Sequence, residues 1–410
     1  MDSVRQTFIG LPRHHGAEYE LRVVADNEQH LDYDHCAGDR NKMTASIGTM
    51  VKKRGDMKQA IAAAAVVAVV LGGCAAVAAQ RAGCAPAGGL SFICGIENPE
   101  DLVLVPNSRW MVASGMAPGS GLHIVDTNAK TVASVYATST ASARADKAKY
   151  ANCPAQLDPK QAVLHGLSLR PAGNNRYTVY ATNHGGRESI EVFDLDASSA
   201  TPTATWVGCV LMPMGMAANS VAAFRDGTLL ATVLILPGKT FEDAFAQKNT
   251  GAVFQRKPGE PTFTMIPGTE LSANNGIETS PDDREFFVAS TTTKQIIAFS
   301  RDKPGAKLRT AQLKEFGPDN VRWTADNKLI TAGLIDNEPS CGGPPKTEAG
   351  IRCPRGYVVA TIDPKTMAVH EIARGPATPA FTGTAIAMRN GNELWLGSFF
   401  ADRVAYRTIK

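Results

Sequence analysis

The feature that most constrains the fold is a pattern that recurs six times after Cys94. Each unit has a polar opening residue, a short apolar strand, a turn with Asp, Asn or Gly, a second strand and, after a gap, a third strand. The units open at Glu100, His165, Asn219, Asn275, Asp319 and Gly383. Six repeats with this pattern and spacing are typical of propeller blades, so we predict an all-β, six-bladed β-propeller over residues 84–410. The alternative is a β-sandwich with coincidental hairpins, since the spacing is irregular.

The N-terminal part of the chain is a different kind of sequence. A basic stretch, residues 51–59, precedes an uncharged apolar run, residues 60–79. This layout is typical of a secretory signal or a single membrane helix, so we interpret residues 50–83 as a basic n-region, an apolar signal or anchor, and a tether. Three alternatives stay open: a lipoprotein lipidated at Cys74 of "LGGC", an uncleaved anchor, and simple secretion. Each predicts export to the periplasm or the cell exterior, with membrane contact only through this segment.

Residues 1–49 are polar and have no clear hydrophobic periodicity. They precede the signal-like segment, although a signal should lie near the start of a chain. We therefore treat them as outside the fold, on the hypothesis that translation starts at Met50 or Met57. In the whole chain 20% of residues are charged and 44% are hydrophobic, which excludes a disordered or a polytopic membrane protein. A net charge of +3, with no Lys/Arg stripe in the body, indicates no nucleic-acid partner.

Eight cysteines fit an exported protein. Cys341 and Cys353 bracket the Gly/Pro-rich stretch "GGPPKTEAGIR" and form the best predicted disulfide. Cys209 lies in an apolar strand, which favours a buried free thiol. Spacing alone does not decide connectivity. The open alternatives for the remaining body cysteines are Cys94 with Cys153 and Cys94 with Cys84.

The opening residues of the units carry the chemistry. Every inner strand of a propeller starts at the same end of the central channel, so these residues converge there. This favours Asn275 as a ligand, while Asn274 before it stays a turn residue. Carboxylate and amide oxygens without sulfur suit a hard cation such as Ca²⁺, and Glu100 and Asp319 supply two negative charges to balance it.

An ordered set of stretches resembles the paraoxonase/arylesterase family and covers residues 95–406: "GIENPEDLVLVPN", "LHGLSL", "ATNHGGRESIEVF", "ANSVAAF", "NNGIETSPDDREFFVA", "PDNVRWTAD" and "GSFFADRVAY". The related senescence-marker/gluconolactonase propellers share several openers and are the nearest alternative. The resemblance implies a six-bladed propeller that hydrolyses aryl esters and lactones. It also implies a catalytic calcium held by Glu100, Asn219, Asn275, Asp319 and Asn320.

The resemblance implies further roles. His165 and His184 match the family's active-site histidine pair. A second, structural calcium would use Asp101 and the backbone carbonyl of Leu167, but Ser220 stands where the family has a further aspartate ligand. Arg407 stands where the family has a cysteine whose disulfide closes the propeller, so that disulfide is not expected here.

The predicted activity is calcium-dependent hydrolysis of a small-molecule ester or lactone. The cation would polarise the carbonyl, and His165 would act as general base on water, with His184 orienting it or relaying the proton. The alternative base is Glu100 or Asp319. Two other functions stay open: a sugar lactonase of the gluconolactonase kind, and a non-catalytic propeller that binds a partner at the cell envelope.

Overall fold

In the computed structural model, which describes residues 83–409, the chain forms six four-stranded antiparallel blades. From inner to outer strand, blades one to three consist of β2 (Leu102–Leu104), β3 (Trp110–Gly115), β4 (Gly121–Asp126) and β5 (Thr131–Tyr136); β6 (Leu164–Gly173), β7 (Arg176–Asn183), β8 (Ser189–Asp196) and β9 (Thr203–Leu211); β10 (Ala218–Ala223), β11 (Leu229–Val233), β12 (Ala252–Arg256) and β13 (Thr264–Met265). Blades four and five consist of β14 (Asn274–Thr279), β15 (Glu285–Ser290), β16 (Gln295–Ser300) and β17 (Lys307–Gln312); β18 (Val321–Trp323), β19 (Leu329–Leu334), β20 (Tyr357–Ile362) and β21 (Val369–Gly375). The predicted all-β, six-bladed propeller is confirmed.

The sixth blade closes the ring. It consists of β22 (Thr384–Asn390), β23 (Glu393–Ser398) and β24 (Arg403–Thr408), with β1 (Ser91–Cys94) as its outermost strand. Antiparallel pairing of Ser91 with Tyr406 through Cys94 with Arg403 joins the two ends of the described chain. Main-chain hydrogen bonds therefore close this propeller, as the absence of a cysteine at Arg407 requires.

Burial explains why inner and outer strands differ in sequence. β3 and β4, the two middle strands of blade one, are almost wholly buried because both of their faces pack against neighbouring blades, and most of their residues are apolar or small. The outer strands β5 and β17 have exposed positions along much of their length and carry polar residues there. The tight turn between the first and second strand of every blade contains a residue with positive φ, supplied by Asn107, Asn174, Gly227, Asp283, Asn327 and Gly391.

The hydrophobic core lies between blades rather than at one centre. Between blades three and four, for example, Phe224 and Ile277 are fully buried against the stacked rings of Phe286 and Phe299, whose centroids are 5.2 Å apart. Each blade thus buries its neighbour's apolar face, and the ring as a whole fixes where every inner strand starts.

Three disulfides are present among residues 83–409: Cys84–Cys94, Cys153–Cys209 and Cys341–Cys353. The Cys341–Cys353 prediction is confirmed, and the choice for Cys94 resolves to Cys84. The prediction that Cys209 is a free thiol is wrong. The segment before β6 packs against the outer strand β9, which brings Cys153 to Cys209.

The inner strands all start at one end of the channel, and the loops between second and third strands lie at that same end. Two of these loops are long. One carries α1 (Phe241–Phe245), and the other carries a 3₁₀ turn (Pro339–Cys341), α2 (Glu348–Ile351) and a disulfide. No helix within residues 83–409 is long and apolar enough to cross a membrane. The predicted signal or anchor and the predicted non-core residues 1–49 lie outside the described residues.

Candidate functional site at the channel mouth

Polar side chains from separate blades meet where the inner strands begin. Asn320 Nδ2 donates a 2.6 Å hydrogen bond to Glu100 Oε1, and His165 Nε2 lies 3.5 Å from the same oxygen. Asn275 hydrogen-bonds the carboxylate of Asp319. Blades one, two, four and five therefore contribute to one cluster, as the register of the repeats predicts.

Four side-chain oxygens at or next to the start of the inner strands have no hydrogen-bond partner although they are buried: Glu100 Oε2, Asn219 Oδ1, Asn275 Oδ1 and Asn320 Oδ1. They come from blades one, three, four and five. An unsatisfied buried acceptor costs about 1–3 kcal/mol, so folded proteins rarely keep several together without a reason. Carboxylate and amide oxygens converging from different strands fit a hard divalent cation, which would satisfy all four.

The local charge also favours a cation. Burial raises the pKa of Asp319 well above its usual range, and the nearby carboxylates of Glu100 and Asp101 raise it further. Acids in this arrangement repel each other unless positive charge lies among them. Within residues 83–409 there is no metal-binding group of three or more His, Cys, Asp and Glu side chains. The candidate set differs from such a group because three of its five members are asparagines.

Hydroxyl groups on the second strands hold the backbone of three asparagines, which leaves the side-chain oxygens uncommitted. The hydroxyl of Thr182 donates to the carbonyl of Asn219 at 3.2 Å. In the same way, Thr232 donates to the carbonyl of Asn275 at 2.5 Å, and Thr331 donates to that of Asn320 at 2.7 Å. All three hydroxyls belong to buried residues. The ring of second strands therefore fixes the asparagine backbones from outside the channel.

Glycines let neighbouring inner strands approach closely enough to form the cluster. A Cβ on Gly276 would lie 2.6 Å from both the Cα of Asn320 and the carbonyl oxygen of Asp319. A Cβ on Gly166 would lie 2.6 Å from the Cα of Ser220. The pair Asn275-Gly276 is therefore a candidate ligand followed by a contact point between blades, and it does not form the turn. Asn274 closes the preceding turn through its side chain, which accepts from the N–H of residue 271 and donates to the carbonyl of residue 269.

The two predicted histidines are in direct contact. His165 Nδ1 and His184 Nε2 are 3.0 Å apart, and His184 Nδ1 is 2.9 Å from Glu188 Oε2. Both imidazoles are largely buried, with 13% and 12% of the side chain exposed. Burial alone would lower the pKa of His165, but the neighbouring carboxylates, Glu100 foremost, outweigh burial and raise it.

Glu188 is the third residue of this hydrogen-bonded series, and the sequence analysis did not predict it. It lies in the short loop between β7 and β8, four residues after His184. Its only signal in the sequence is that it is an acid near a candidate histidine, and many acids meet that description. The contact depends on how the loop Gly185–Arg187 turns back, which the sequence pattern does not specify.

The residues predicted for a second cation have other partners. Asp101 is fully buried; its Oδ1 accepts from the N–H of Leu102 at 2.8 Å, and its Oδ2 accepts from the N–H of Leu167 at 2.6 Å. The guanidinium of Arg322 also donates to Asp101 Oδ2 and, at 2.8 Å, to the carbonyl of Leu167. Burial raises the pKa of Asp101 to about 7, and Arg322 opposes that rise. The oxygens of this second set are thus already hydrogen-bonded, unlike those of the first.

Comparison with known proteins gives one family match. The profile of the SMP-30/gluconolactonase/LRE-like region matches residues 122–386. No curated protein matches the sequence.

Several solved structures are similar to this chain at low sequence identity. A luciferin-regenerating enzyme is 10% identical, with a TM-score of 0.46 over 78% of this chain and 96% of its own. A gluconolactonase from Xanthomonas campestris is 14% identical, with a TM-score of 0.46 over 78% of this chain and 89% of its own. The WD40 β-propeller domain of Doa1 is 12% identical, with a TM-score of 0.43 over 77% of this chain and 94% of its own.

Proposed function

The chain belongs to the SMP-30/gluconolactonase/LRE-like family, and from this premise we propose that it is a calcium-dependent lactonase whose active site is the channel mouth. Membership supports a lactone hydrolase broadly, and gluconolactonase-like members are metal-dependent. It favours lactones over the aryl esters that the paraoxonase resemblance placed first. The observation that carries the proposal is the set of four partnerless buried oxygens beside the two histidines.

The residues that would hold the cation are Glu100, Asn219, Asn275, Asp319 and Asn320. All five offer oxygen, which suits calcium, and the two carboxylates match its charge. When bound, the cation supplies Lewis-acid polarisation of the substrate carbonyl and stabilises the oxyanion that forms on it.

The histidine chain sets the position of the reactive proton. Glu188 accepts a hydrogen bond from His184 Nδ1–H, so His184 Nε2 keeps its lone pair and accepts a hydrogen bond from His165 Nδ1–H. His165 Nε2 is then the basic nitrogen, and it faces Glu100 at the candidate cation site. It takes a proton from water as the water oxygen adds to the lactone carbonyl carbon. His165 returns that proton to the ring oxygen when the ring C–O bond breaks.

The test compares D-glucono-1,5-lactone, an aliphatic lactone and phenyl acetate as substrates, with calcium and with a chelator. We expect lactone hydrolysis that is lost with the metal. Preference for phenyl acetate would support the second candidate, an aryl esterase, which the His165–His184 contact favours through the paraoxonase resemblance. No turnover on any of the three would favour the non-catalytic propeller.

The general base is tested by His165→Gln. We expect turnover to fall by a factor of roughly 10² or more, while calcium still stabilises the fold. The exposed His370 provides the matched control, since His370→Gln changes the same residue type far from the mouth. Unchanged turnover in His165→Gln would transfer the role of base to Glu100 or Asp319.

The disulfides support a proposal for the compartment. Three disulfides in the described body suit an oxidising environment, so we propose that the protein works outside the cytoplasm on a small-molecule substrate. Whether the segment around Cys74 is cleaved, lipidated or retained as an anchor is decided by N-terminal sequencing and mass spectrometry of the native product.

A further inference from the structure

A single arginine lies across the channel below the mouth. Arg322 is on the inner strand β18 of blade five, and its side chain is only 4% exposed. Its guanidinium reaches the carboxylate of Asp101 in blade one and the carbonyls of Leu167 in blade two and Ile277 in blade four, the last at 3.4 Å. One side chain therefore connects the inner strands of four of the six blades.

The partners of Arg322 are those of a metal ion rather than those of an ordinary ion pair. Besides the Asp101 carboxylate and a longer ion pair with Glu278 Oε2 at 3.9 Å, the guanidinium donates to backbone carbonyls, including that of Val321 at 2.8 Å. One carboxylate and several carbonyls from separate strands form the ligand set expected of a buried structural cation. Asp101 and Leu167 are also the two residues that the family resemblance implies for a second calcium.

A divalent ion does not fit beside this guanidinium. Calcium needs six to eight oxygens, whereas the Arg322 guanidinium already occupies Asp101 Oδ2 and the Leu167 carbonyl. The expected third ligand is also weaker, because Ser220 replaces an aspartate and offers a single uncharged hydroxyl oxygen. The positive charge of Arg322 would repel a second cation at this distance.

We propose that Arg322 is the central structural cation of this propeller and replaces a second divalent ion at Asp101 and Leu167. The inner strands then stay joined when metal is withdrawn, and only the mouth depends on calcium. This inference concerns the fold and does not require the chain to hydrolyse lactones.

The test counts calcium ions per chain and measures thermal unfolding for wild type and Arg322→Ala. The variant should bind one more calcium ion than wild type, because the Asp101 carboxylate and the Leu167 carbonyl are released. In chelator its melting temperature should fall by about 10 °C, since an acid is left buried and unpaired, and calcium should restore most of that loss.

Arg355 provides the matched control. It is 2% exposed and its guanidinium also donates to backbone carbonyls, such as that of Asp336 at 2.6 Å, but no carboxylate partner completes a cation site there. Arg355→Ala should lose stability equally with and without calcium and should bind no additional ion.

An equal ion count in Arg322→Ala and wild type would overturn the proposal, as would two ions per chain in wild type. If Arg322→Ala folds only with calcium, the proposal is supported. If it folds in neither condition, the wild-type count decides: at most one ion supports the proposal. Failure of the proposed lactonase activity would appear as absent turnover and would leave these counts unchanged.

Discussion

Replacing one partnerless amide at the mouth should stabilise the metal-free protein and weaken its binding of calcium. Asn219→Leu keeps nearly the same side-chain shape and removes Oδ1, which is buried without a hydrogen bond. In chelator, removal of an unsatisfied acceptor should raise the free energy of unfolding by about 1–3 kcal/mol. With calcium, the same change removes a ligand and should weaken binding.

The size of the calcium effect follows from linkage. A metal present at 1,000 times its Kd stabilises the fold by about 4 kcal/mol, and a 100-fold loss of affinity reduces this increment to about 1.5 kcal/mol. A loss of at least 10- to 100-fold is reasonable for a ligand, since outer-shell substitutions alone reach that range. The assay is urea unfolding of wild type and Asn219→Leu, each in chelator and in calcium.

Tyr357→Phe is the matched control, because the Tyr357 hydroxyl is also buried without a partner but lies in β20, away from the mouth. Its removal should leave the calcium increment at the wild-type value. If Asn219→Leu keeps the full increment, or if wild type has none, the partnerless oxygens do not form a metal site and the reasoning fails.

Three further outcomes are expected. Gly276→Ala should weaken calcium binding, measured by titration calorimetry, because its Cβ would meet backbone at 2.6 Å; Gly350→Ala, where a Cβ has ordinary contacts of 3.5 Å or more, should not. Glu188→Ala should lower kcat about 10- to 100-fold with little change in KM, while Glu188→Gln, which keeps an acceptor oxygen, should retain more activity; equal losses would refute a positioning role. Burial lowers the pKa of His123 from 6.5 to about 4, so the unfolded chain binds more protons between these values, and wild type should lose about 3 kcal/mol as pH falls through this window. His123→Gln should flatten that slope in acid unfolding curves, and an unchanged slope would contradict the assignment.

The sequence predicted which residues open the inner strands because propeller geometry converts register into position. Residues at the start of inner strands must face the same end of the channel, so Asn219 and Asn275, 56 positions apart, lie on the neighbouring inner strands β10 and β14 without any detail of the loops. The same argument could not find Glu188, since its position depends on the backbone of one short loop. It also failed for Cys209, because an apolar strand does not reveal which segment packs on its outer side.

Arg322 was missed for a different reason. In "VRW" an arginine between apolar residues is what a strand with one solvated face would show, and this pattern gives no sign of burial. Its partner Asp101 is 221 positions away. Only the closure of the ring, which leaves blade six alone between blades five and one, shows that the charge lies in the channel, and local periodicity carries no information about that closure.

The charges along the channel connect the two cation positions. Three carboxylates, those of Glu100, Asp101 and Asp319, lie within electrostatic reach of one another, and the guanidinium of Arg322 satisfies one of them. Glu100 and Asp319 remain beside partnerless oxygens, and they would carry a combined charge of −2 when both are ionised. A monovalent side chain could not neutralise both, whereas one divalent ion can, and burying that charge unbalanced would be costly. Because Arg322 already pairs with the lower acid, the proposed divalent ion has one place left in the channel, among the mouth residues next to His165.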